Sequence, residues 1–139
     1  DRKPPLIIVD FGTATSFDAV TARAEWVGGV IVPGIHLASE ALFEHCAKLP
    51  RVDIVVPKNV IGRNTTDNIR SGLTYGYADL VDGLVRRMRA EMDGDPVVVA
   101  TGGLARVIAP ISSEIAHVDP WLTLKGLRVV YEKNVGAVA

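Results

Sequence analysis

The sequence has 139 residues, of which 48% are hydrophobic and 22% charged, a composition typical of a soluble globular protein. Its formal net charge of -1 gives no electrostatic reason to expect a nucleic acid or an anionic membrane as a partner. No apolar run approaches the roughly 20 residues of a membrane span, and the single Cys46 cannot form an internal disulfide, so we expect a cytoplasmic protein.

The chain opens with Asp1 to Pro5, which lead directly into an apolar stretch without an initiator methionine. This start favours a chain that is the latter part of a longer protein. The length suffices for one hydrophobic core but not comfortably for two. We therefore expect residues 1–139 to form a single domain.

The most informative stretch of the sequence runs from Leu6 to Asp18. The unbroken apolar run Leu6–Val9 predicts a buried strand that delivers the carboxylate of Asp10 at its end. Gly12 then turns the backbone, and Thr13 adds a hydroxyl and a backbone N–H. A carboxylate beside a Gly-Thr turn suits a site for phosphate and a cation, although the same residues also fit an ordinary hairpin.

Two further strands are predicted at residues 15–20 and 26–32, which would complete an antiparallel meander. Gly28 and Gly29 lie inside the third strand, where missing side chains indicate either a bulge or a close approach by backbone or ligand. Asp18 lies in the return strand. Its carboxylate would either face the phosphates or pair with a neighbouring basic group.

Two helices are predicted next. Pro33-Gly34 opens the first, whose apolar positions recur at helical spacing and include Cys46, expected in the core. Residues 50–57 would form an extended or edge segment. The longest helix would start at Asn64 or Thr65 and reach about Met92. On its flank lie Gly72 and Gly76, which would allow close contact with another helix, either in a dimer or within the same domain.

The last part of the chain alternates strands and helices. Residues 97–100 predict a buried strand, and Thr101-Gly102-Gly103 turns into a short helix that ends at Ile108. A strand, two glycines and a helix form an anion-binding geometry, though a Gly-Gly pair alone is weak evidence. Residues 115–118 predict a last strand, followed by an amphipathic helix containing Leu122, Leu124, Leu127, Val130 and Tyr131.

This order of elements is that of an α/β, ribonuclease-H-like domain, as used by the actin-like ATPase and sugar-kinase superfamily. It predicts a mixed five-stranded sheet with flanking helices, in which the fourth and fifth strands run parallel to the first. In such a fold, the ligand lies at the strand ends where Asp10 and Thr101 emerge.

Several motifs together resemble one family, type III pantothenate kinase, also called the Bvg accessory factor family, and specifically its C-terminal half. The resemblance covers nearly the whole chain, and the combination is far more specific than any single piece. The motifs are Asp10–Asp18, Gly28–Gly34, Ile61–Thr65 with Ser71-Gly72 and Tyr75–Tyr77, Thr101–Ala105, and the closing Asp119-Pro120, Leu122–Leu124 and Gly126-Leu127.

The resemblance implies a role for particular residues. Asp10 would hold a monovalent cation, K⁺ or NH₄⁺, beside the phosphates of ATP and its Mg²⁺. Gly12 and Thr13 would contact ATP, and residues 101–103 would lie near the adenosine. Thr65 would reach pantothenate across the subunit interface of a homodimer formed through the long helix.

Two parts of the family pattern are missing from the sequence. These are an Asp-x-Gly-Asn-Thr phosphate loop and a Gly-x-Asp-Arg motif whose aspartate is the general base. Asp1-Arg2 stands only nine residues before Asp10 and is not assigned to that motif. We therefore assign no catalytic residue, and we expect the isolated chain to have negligible kinase activity.

Three functions remain open at this point. The first is phosphorylation of pantothenate by the full-length protein, the opening step of coenzyme A synthesis. The second is a non-catalytic transcriptional regulator of the Bvg accessory factor type, against which the near-neutral charge argues. The third is a related kinase with a different acceptor.

Overall fold

A computed structural model describes residues 3–135. Asp1, Arg2 and residues 136–139 lie outside the described residues, so the structure does not test the Asp1-Arg2 pair. The elements follow in the predicted order, with a short 3₁₀ turn after the third helix. Their bounds are β1 Leu6–Phe11, β2 Ala14–Val20, β3 Trp26–Pro33, α1 Ile35–His45, α2 Thr65–Ala90, β4 Val97–Gly102, α3 Ala105–Ile108, β5 His117–Val118 and α4 Leu122–Val135.

The strands form one mixed sheet of five, in the order β3-β2-β1-β4-β5. Strand β2 is antiparallel to both β1 and β3, whereas β4 is parallel to β1 and β5 is parallel to β4. The predicted mixed sheet with flanking helices is therefore confirmed. Because β1 occupies the centre, Asp10 near its end has a strand on each side.

The hydrophobic core lies on one face of the sheet. Ile7, Val9 and Phe11 of β1 are buried there, in one cluster with residues of α1, α2 and α3. Successive residues of a strand point to opposite faces, so Leu6 and Ile8 point the other way, where they are only partly buried. The face that carries Leu6 and Ile8 is the open face of the sheet.

Helix α2 has 26 residues and begins with a reciprocal cap. The Oδ1 of Asn64 accepts a hydrogen bond from the backbone N–H of Asp67 at 2.9 Å, and its Nδ2 donates to Asp67 Oδ2 at 2.8 Å. Asn64 is thus the N-cap residue. A β-carbon built on Gly72 or Gly76 would meet no atom within 4 Å apart from the adjacent residues and backbone of α2 itself, so contact with another described element does not explain these glycines.

The middle of α2 carries a buried carboxylate, Asp82. It accepts hydrogen bonds from the hydroxyls of Ser112 and Ser113 at 2.5 and 2.6 Å and from the backbone N–H groups of Ser113 and Glu114 at 2.8 and 3.3 Å. Burial alone would raise the pKa of Asp82, but these hydrogen bonds outweigh it and hold the pKa below its ordinary value. Asp82 therefore fastens the loop before β5 to α2.

Two local predictions need correction, and a third keeps one of its two alternatives. Cys46 is exposed rather than in the core, because α1 ends at His45 and Cys46 is its C-cap. Residues 50–57 pair with no strand of the described sheet, which excludes the edge alternative and leaves the extended one, and the side chain of Ile54 packs against the core. The last strand is shorter than the predicted 115–118, since only His117–Val118 pair with β4.

The final helix formed as predicted but is unusually uncovered, with none of its residues buried. It lies over the open face, where one side of the helix and the sheet line a groove of about 380 Å³. The apolar side chains that line this groove are Leu6, Ile8, Val99, Leu122 and Val129. On the opposite side of α4, Leu124, Leu127 and Tyr131 are exposed.

Candidate functional site

A polar row crosses the open face where β1 and β4 end. Asp10 pairs in register with Thr101 of β4 and with Ser16 of β2, and Ser16 pairs with Ile31 of β3. Residues directly opposite each other on paired strands point to the same face. The row therefore places one carboxylate between two hydroxyls, at the carboxyl ends of two parallel strands.

Two glycines flank the carboxylate of Asp10. A β-carbon built on Gly102 would lie 2.6 Å from Asp10 Oδ1 and 2.6 Å from the carbonyl oxygen of Phe11, and one on Gly12 would lie 3.9 Å from the same Oδ1. Gly102 also has a φ of +92°, a conformation that L side chains rarely adopt. The space beside the carboxylate thus depends on glycine at position 102.

The turn at Gly12 and Thr13 rests against the start of α1. The backbone N–H of Gly12 donates to the carbonyl of Ala14, and that of Gly34 donates to the carbonyl of Thr13, both at 3.1 Å. A β-carbon on Gly34 would lie only 2.1 Å from that Thr13 oxygen. Helix α1 therefore fixes the turn, while Thr13 itself is exposed and can offer its hydroxyl to a ligand.

The turn after β4 has the predicted Gly-Gly geometry. A β-carbon built on Gly103 would meet nothing within 4 Å, and the residue is exposed. Helix α3, which follows, has only four residues. Its dipole is therefore small, and the exposed backbone of the turn, rather than the helix, is the group that can approach a ligand.

Asp18 lies one row further along the open face, paired in register with Ile8 and Gly29. Its Oδ1 accepts a hydrogen bond from the indole N–H of Trp26 at 2.8 Å, so its partner is an aromatic N–H and not the basic group that was one of the predicted alternatives. A β-carbon on Gly29 would lie 1.8 Å from the carbonyl oxygen of Phe17. Gly29 therefore marks a close approach of β3 to β2.

The neighbouring Gly28 explains the other predicted reading of the glycine pair. Its φ is +121°, and the register between β2 and β3 shifts beside it. A shift of this kind is a β-bulge, which bends the strand locally. The two glycines thus serve different purposes, and both readings hold.

Thr65 belongs to an element outside the sheet. It is the first residue of α2 and is exposed. Helix α2 packs on the core face of the sheet, whereas Asp10 points to the open face. The structure therefore brings Asp10, Gly12, Thr13 and residues 101–103 to one end of the sheet, and Thr65 begins a helix that packs against the opposite face.

The donors around Asp10 are all oxygen atoms. Within residues 3–135, no group of three or more histidine, cysteine, aspartate or glutamate side chains is arranged to hold a metal ion. A single carboxylate with the hydroxyls of Ser16 and Thr101 beside it suits a hard cation that keeps other ligands, such as K⁺ or hydrated Mg²⁺. These residues thus fit the cation that the resemblance implies.

The register explains which site residues the sequence concealed. Ser16 joins the row because β2 pairs with β1 in this alignment, and Ile31 lies beside Ser16 because β3 pairs with β2. The period-2 pattern of β2 places Ser16 and Asp18 on one face, and this pattern is the sequence feature that could have pointed to Ser16 as a site residue. Neither the alignment of β3 nor the bond from Trp26 to Asp18 follows from that pattern.

Fold and site together define the class, an α/β domain whose polar residues gather at the carboxyl ends of its parallel strands. The family model described as "Type III pantothenate kinase" matches residues 1–87. Because this match spans more than half of the sequence, the chain belongs to the type III pantothenate kinase family.

Curated relatives agree with this membership. The chain is 54% identical over 130 residues to a type III pantothenate kinase from Moorella thermoacetica and 54% identical over 133 residues to one from Pelobacter propionicus. These alignments cover 94% and 96% of this chain but 51% and 52% of the relatives. The chain thus spans about half the length of the curated relatives it matches.

A solved structure shares the fold. The crystal structure of a protein named as a Baf family transcriptional activator from Campylobacter jejuni matches with a TM-score of 0.69 and 20% identity. The match covers 95% of this chain and 59% of that chain. At this identity, the likeness shows a common fold and nothing about function.

Proposed function

We propose that residues 1–139 are a single ribonuclease-H-like domain, the C-terminal half of a two-domain kinase of the actin and sugar-kinase superfamily. The support is the sheet order β3-β2-β1-β4-β5 with helices on the core face between β3, β4 and β5. The relatives' double length leaves room for a second domain of similar size. That second domain would supply the phosphate loop and the general base that this sequence lacks.

The complete protein transfers the γ-phosphoryl group of ATP to pantothenate. The pantothenate hydroxyl oxygen bonds to the γ-phosphorus while the bond from that phosphorus to the bridging oxygen of ADP breaks, and the hydroxyl proton passes to the base. The products are 4'-phosphopantothenate and ADP. Such reactions depend on positioning and charge neutralisation more than on covalent chemistry by the protein.

Asp10 is the residue on which this chain's contribution depends. Its glycine-flanked carboxylate, in register with Thr101, is the single observation that carries the proposal. Asp10 would hold K⁺ or NH₄⁺ beside the phosphates and their Mg²⁺. The exposed turn at Gly12 and Thr13 would contact the phosphates, and residues 101–103 would border the adenosine.

Thr65 would act on pantothenate in the other subunit of a homodimer. The support is that α2, which Thr65 begins, packs on the face of the sheet opposite to the Asp10 row. The same end of α2 carries the exposed Gly72 and Gly76, with open space beside both, and the loop before it exposes Val60 and Ile61. These features favour a contact between two copies along α2.

The test is pantothenate phosphorylation by the product of the complete reading frame, with and without K⁺. We expect Asp10→Asn to lower kcat/KM by at least about 100-fold, because a neutral amide no longer compensates the cation. Asp93→Asn, the same change in an exposed loop, is the matched control and should keep full activity. Absence of activity in the intact protein, or full activity of Asp10→Asn, would refute the proposal.

A regulatory role is the second candidate; the name of the Campylobacter jejuni neighbour raises it, but a shared fold at 20% identity does not support it. The formal net charge of -1 weighs against direct contact with DNA. Binding of the complete protein to duplex DNA that weakens steeply with salt would favour this candidate. We expect no such binding.

We further propose a cytoplasmic location and a small-molecule substrate rather than a membrane or nucleic-acid partner. No helix within residues 3–135 combines the length and apolar character needed to cross a bilayer. The lone Cys46 is exposed and free, which suits a reducing compartment.

A further inference from the structure

We propose that the outward face of α4, formed by Leu124, Leu127 and Tyr131, is the surface on which the other half of the complete protein docks. The inference rests on the proposed two-domain architecture. It adds to that architecture the place where the second domain is held.

The outward face is a contiguous apolar surface. Leu124, Leu127 and Tyr131 are 58%, 60% and 67% exposed. With 3.6 residues per turn, they fall within an arc of about 60° on the helix. Single exposed apolar side chains are ordinary on a protein surface, but a continuous stripe marks an interaction site.

Three of the four charged residues of α4, Lys125, Arg128 and Glu132, lie on one flank, and the fourth, Lys133, is in the last turn. Lys125 pairs with Asp119 at 2.7 Å, and Arg128 pairs with Glu132 at 3.4 Å. Apolar side chains lie on two opposite sides of the helix, with Leu122 and Val129 toward the groove over the sheet and Leu124, Leu127 and Tyr131 outward. Apolar side chains on two opposite sides are typical of a helix that is covered on both of those sides.

The position of α4 indicates which partner covers it. The helix lies on the open face, the same face that carries the Asp10 row. Beside it, the β2 and β3 part of that face is uncovered, with Trp26 67% and Ile31 77% exposed. A domain seated on α4 would therefore also overhang this open surface and approach Asp10, as the missing half of a kinase site must.

The length of the relatives supplies an occupant of the right size. About half of each curated relative lies outside the part matched by this chain. A second copy is a weaker candidate, because 14 helical residues span only about 21 Å and offer a footprint of roughly 200 Å². A stable interface between separate molecules needs about 800 Å² from each partner, a requirement that a covalently linked domain does not share. A second copy would also bring no new part of the site.

The experiment compares two adjacent substitutions in the product of the complete reading frame. Leu127→Gln replaces an outward apolar side chain with a polar one. Arg128→Gln introduces the same glutamine side chain on the charged flank and serves as the control. We expect Leu127→Gln to lower the midpoint of thermal unfolding by roughly 5–10 °C, because it buries an amide against the second domain. Arg128→Gln should shift the midpoint by less than about 2 °C.

A chemical measurement on the unsubstituted protein gives an independent answer. Tetranitromethane should nitrate Tyr131 slowly in the native complete protein and quickly after denaturation, as followed by peptide mass spectrometry. Both experiments read stability or accessibility, so they succeed or fail whether or not the protein phosphorylates pantothenate.

Three outcomes would overturn the inference. The first is an equal response to both substitutions, and the second is nitration of Tyr131 in the native protein at the rate seen after denaturation. The third is a Leu127→Gln protein that changes from dimer to monomer in light scattering, which would assign the outward face of α4 to a second copy.

Discussion

Gly102 and Asp10 are in such close contact that a single methyl group at position 102 would displace the carboxylate. The β-carbon would lie 2.6 Å from Asp10 Oδ1, and the backbone at 102 already has a φ of +92°. The two residues come from neighbouring parallel strands, one register step apart. Glycine at 102 is therefore part of what positions the carboxylate.

Gly102→Ala should destabilise the protein by about 1–3 kcal/mol, through backbone strain and overlap with the Phe11 carbonyl. Urea unfolding measures the change. Gly103→Ala is the matched control, since its β-carbon would enter open space and should alter the free energy of unfolding by less than about 0.5 kcal/mol. Equal stability of the two variants would contradict the described contact.

Gly34→Ala should also destabilise the protein, because the added methyl group would lie 2.1 Å from the Thr13 carbonyl oxygen. We expect a loss of about 1–3 kcal/mol and a displaced Gly12–Thr13 turn. The control is Gly83→Ala in α2, where space is open and alanine favours the helix. That variant should gain about 0.5–1 kcal/mol, so thermal unfolding of the two should shift in opposite directions.

Asp82→Asn should cost about 1–3 kcal/mol of stability at neutral pH. The amide nitrogen would face hydrogen-bond donors from Ser112, Ser113 and Glu114 and leave at least one of them unpaired. Asp79→Asn, one turn earlier on the same helix and exposed, should change stability by less than about 0.5 kcal/mol. Equal effects of the two substitutions would show that the Asp82 bonds are not formed.

The Asp82 contribution should depend on pH in a defined direction. The folded protein holds the pKa of Asp82 below its ordinary value of 3.8. The unfolded chain therefore binds the proton first, and the stabilisation is complete above pH 3.8 and falls as the pH drops through the folded pKa. The stability gap between the unsubstituted protein and Asp82→Asn should be constant from pH 7 to 5 and shrink in acid, as measured by urea unfolding. A stability gap that widens in acid would show that folding raises the pKa of Asp82 instead of lowering it.

Much of the fold follows from the sequence because local patterns and topology agree. The apolar run before Asp10 predicts the central strand, and the crossover helices force β4 to lie parallel to β1. Asn64 caps α2 because its short amide side chain reaches the free N–H of Asp67. These features depend on neighbours in the chain or on chirality, and both can be read without coordinates.

The remaining features depend on tertiary contacts that no local pattern encodes. Asp82 looks like a surface charge of a long helix, but the loop at 112–114 closes over it. Helix α4 has the periodicity of a buried amphipathic helix, yet its periodicity does not say how many sides are covered. Cys46 continues the helical spacing of α1, but the helix stops one residue earlier.

The pairing of Asp10 with Thr101 also bears on how the molecule folds. The two residues are 91 positions apart, so their strands can align only after a long intervening stretch has been ordered. Contacts of such separation carry a large loop-closure cost and form slowly compared with helices. The polar row should therefore appear late in folding, together with the complete sheet, and partially folded chains should lack it even when α2 is already helical.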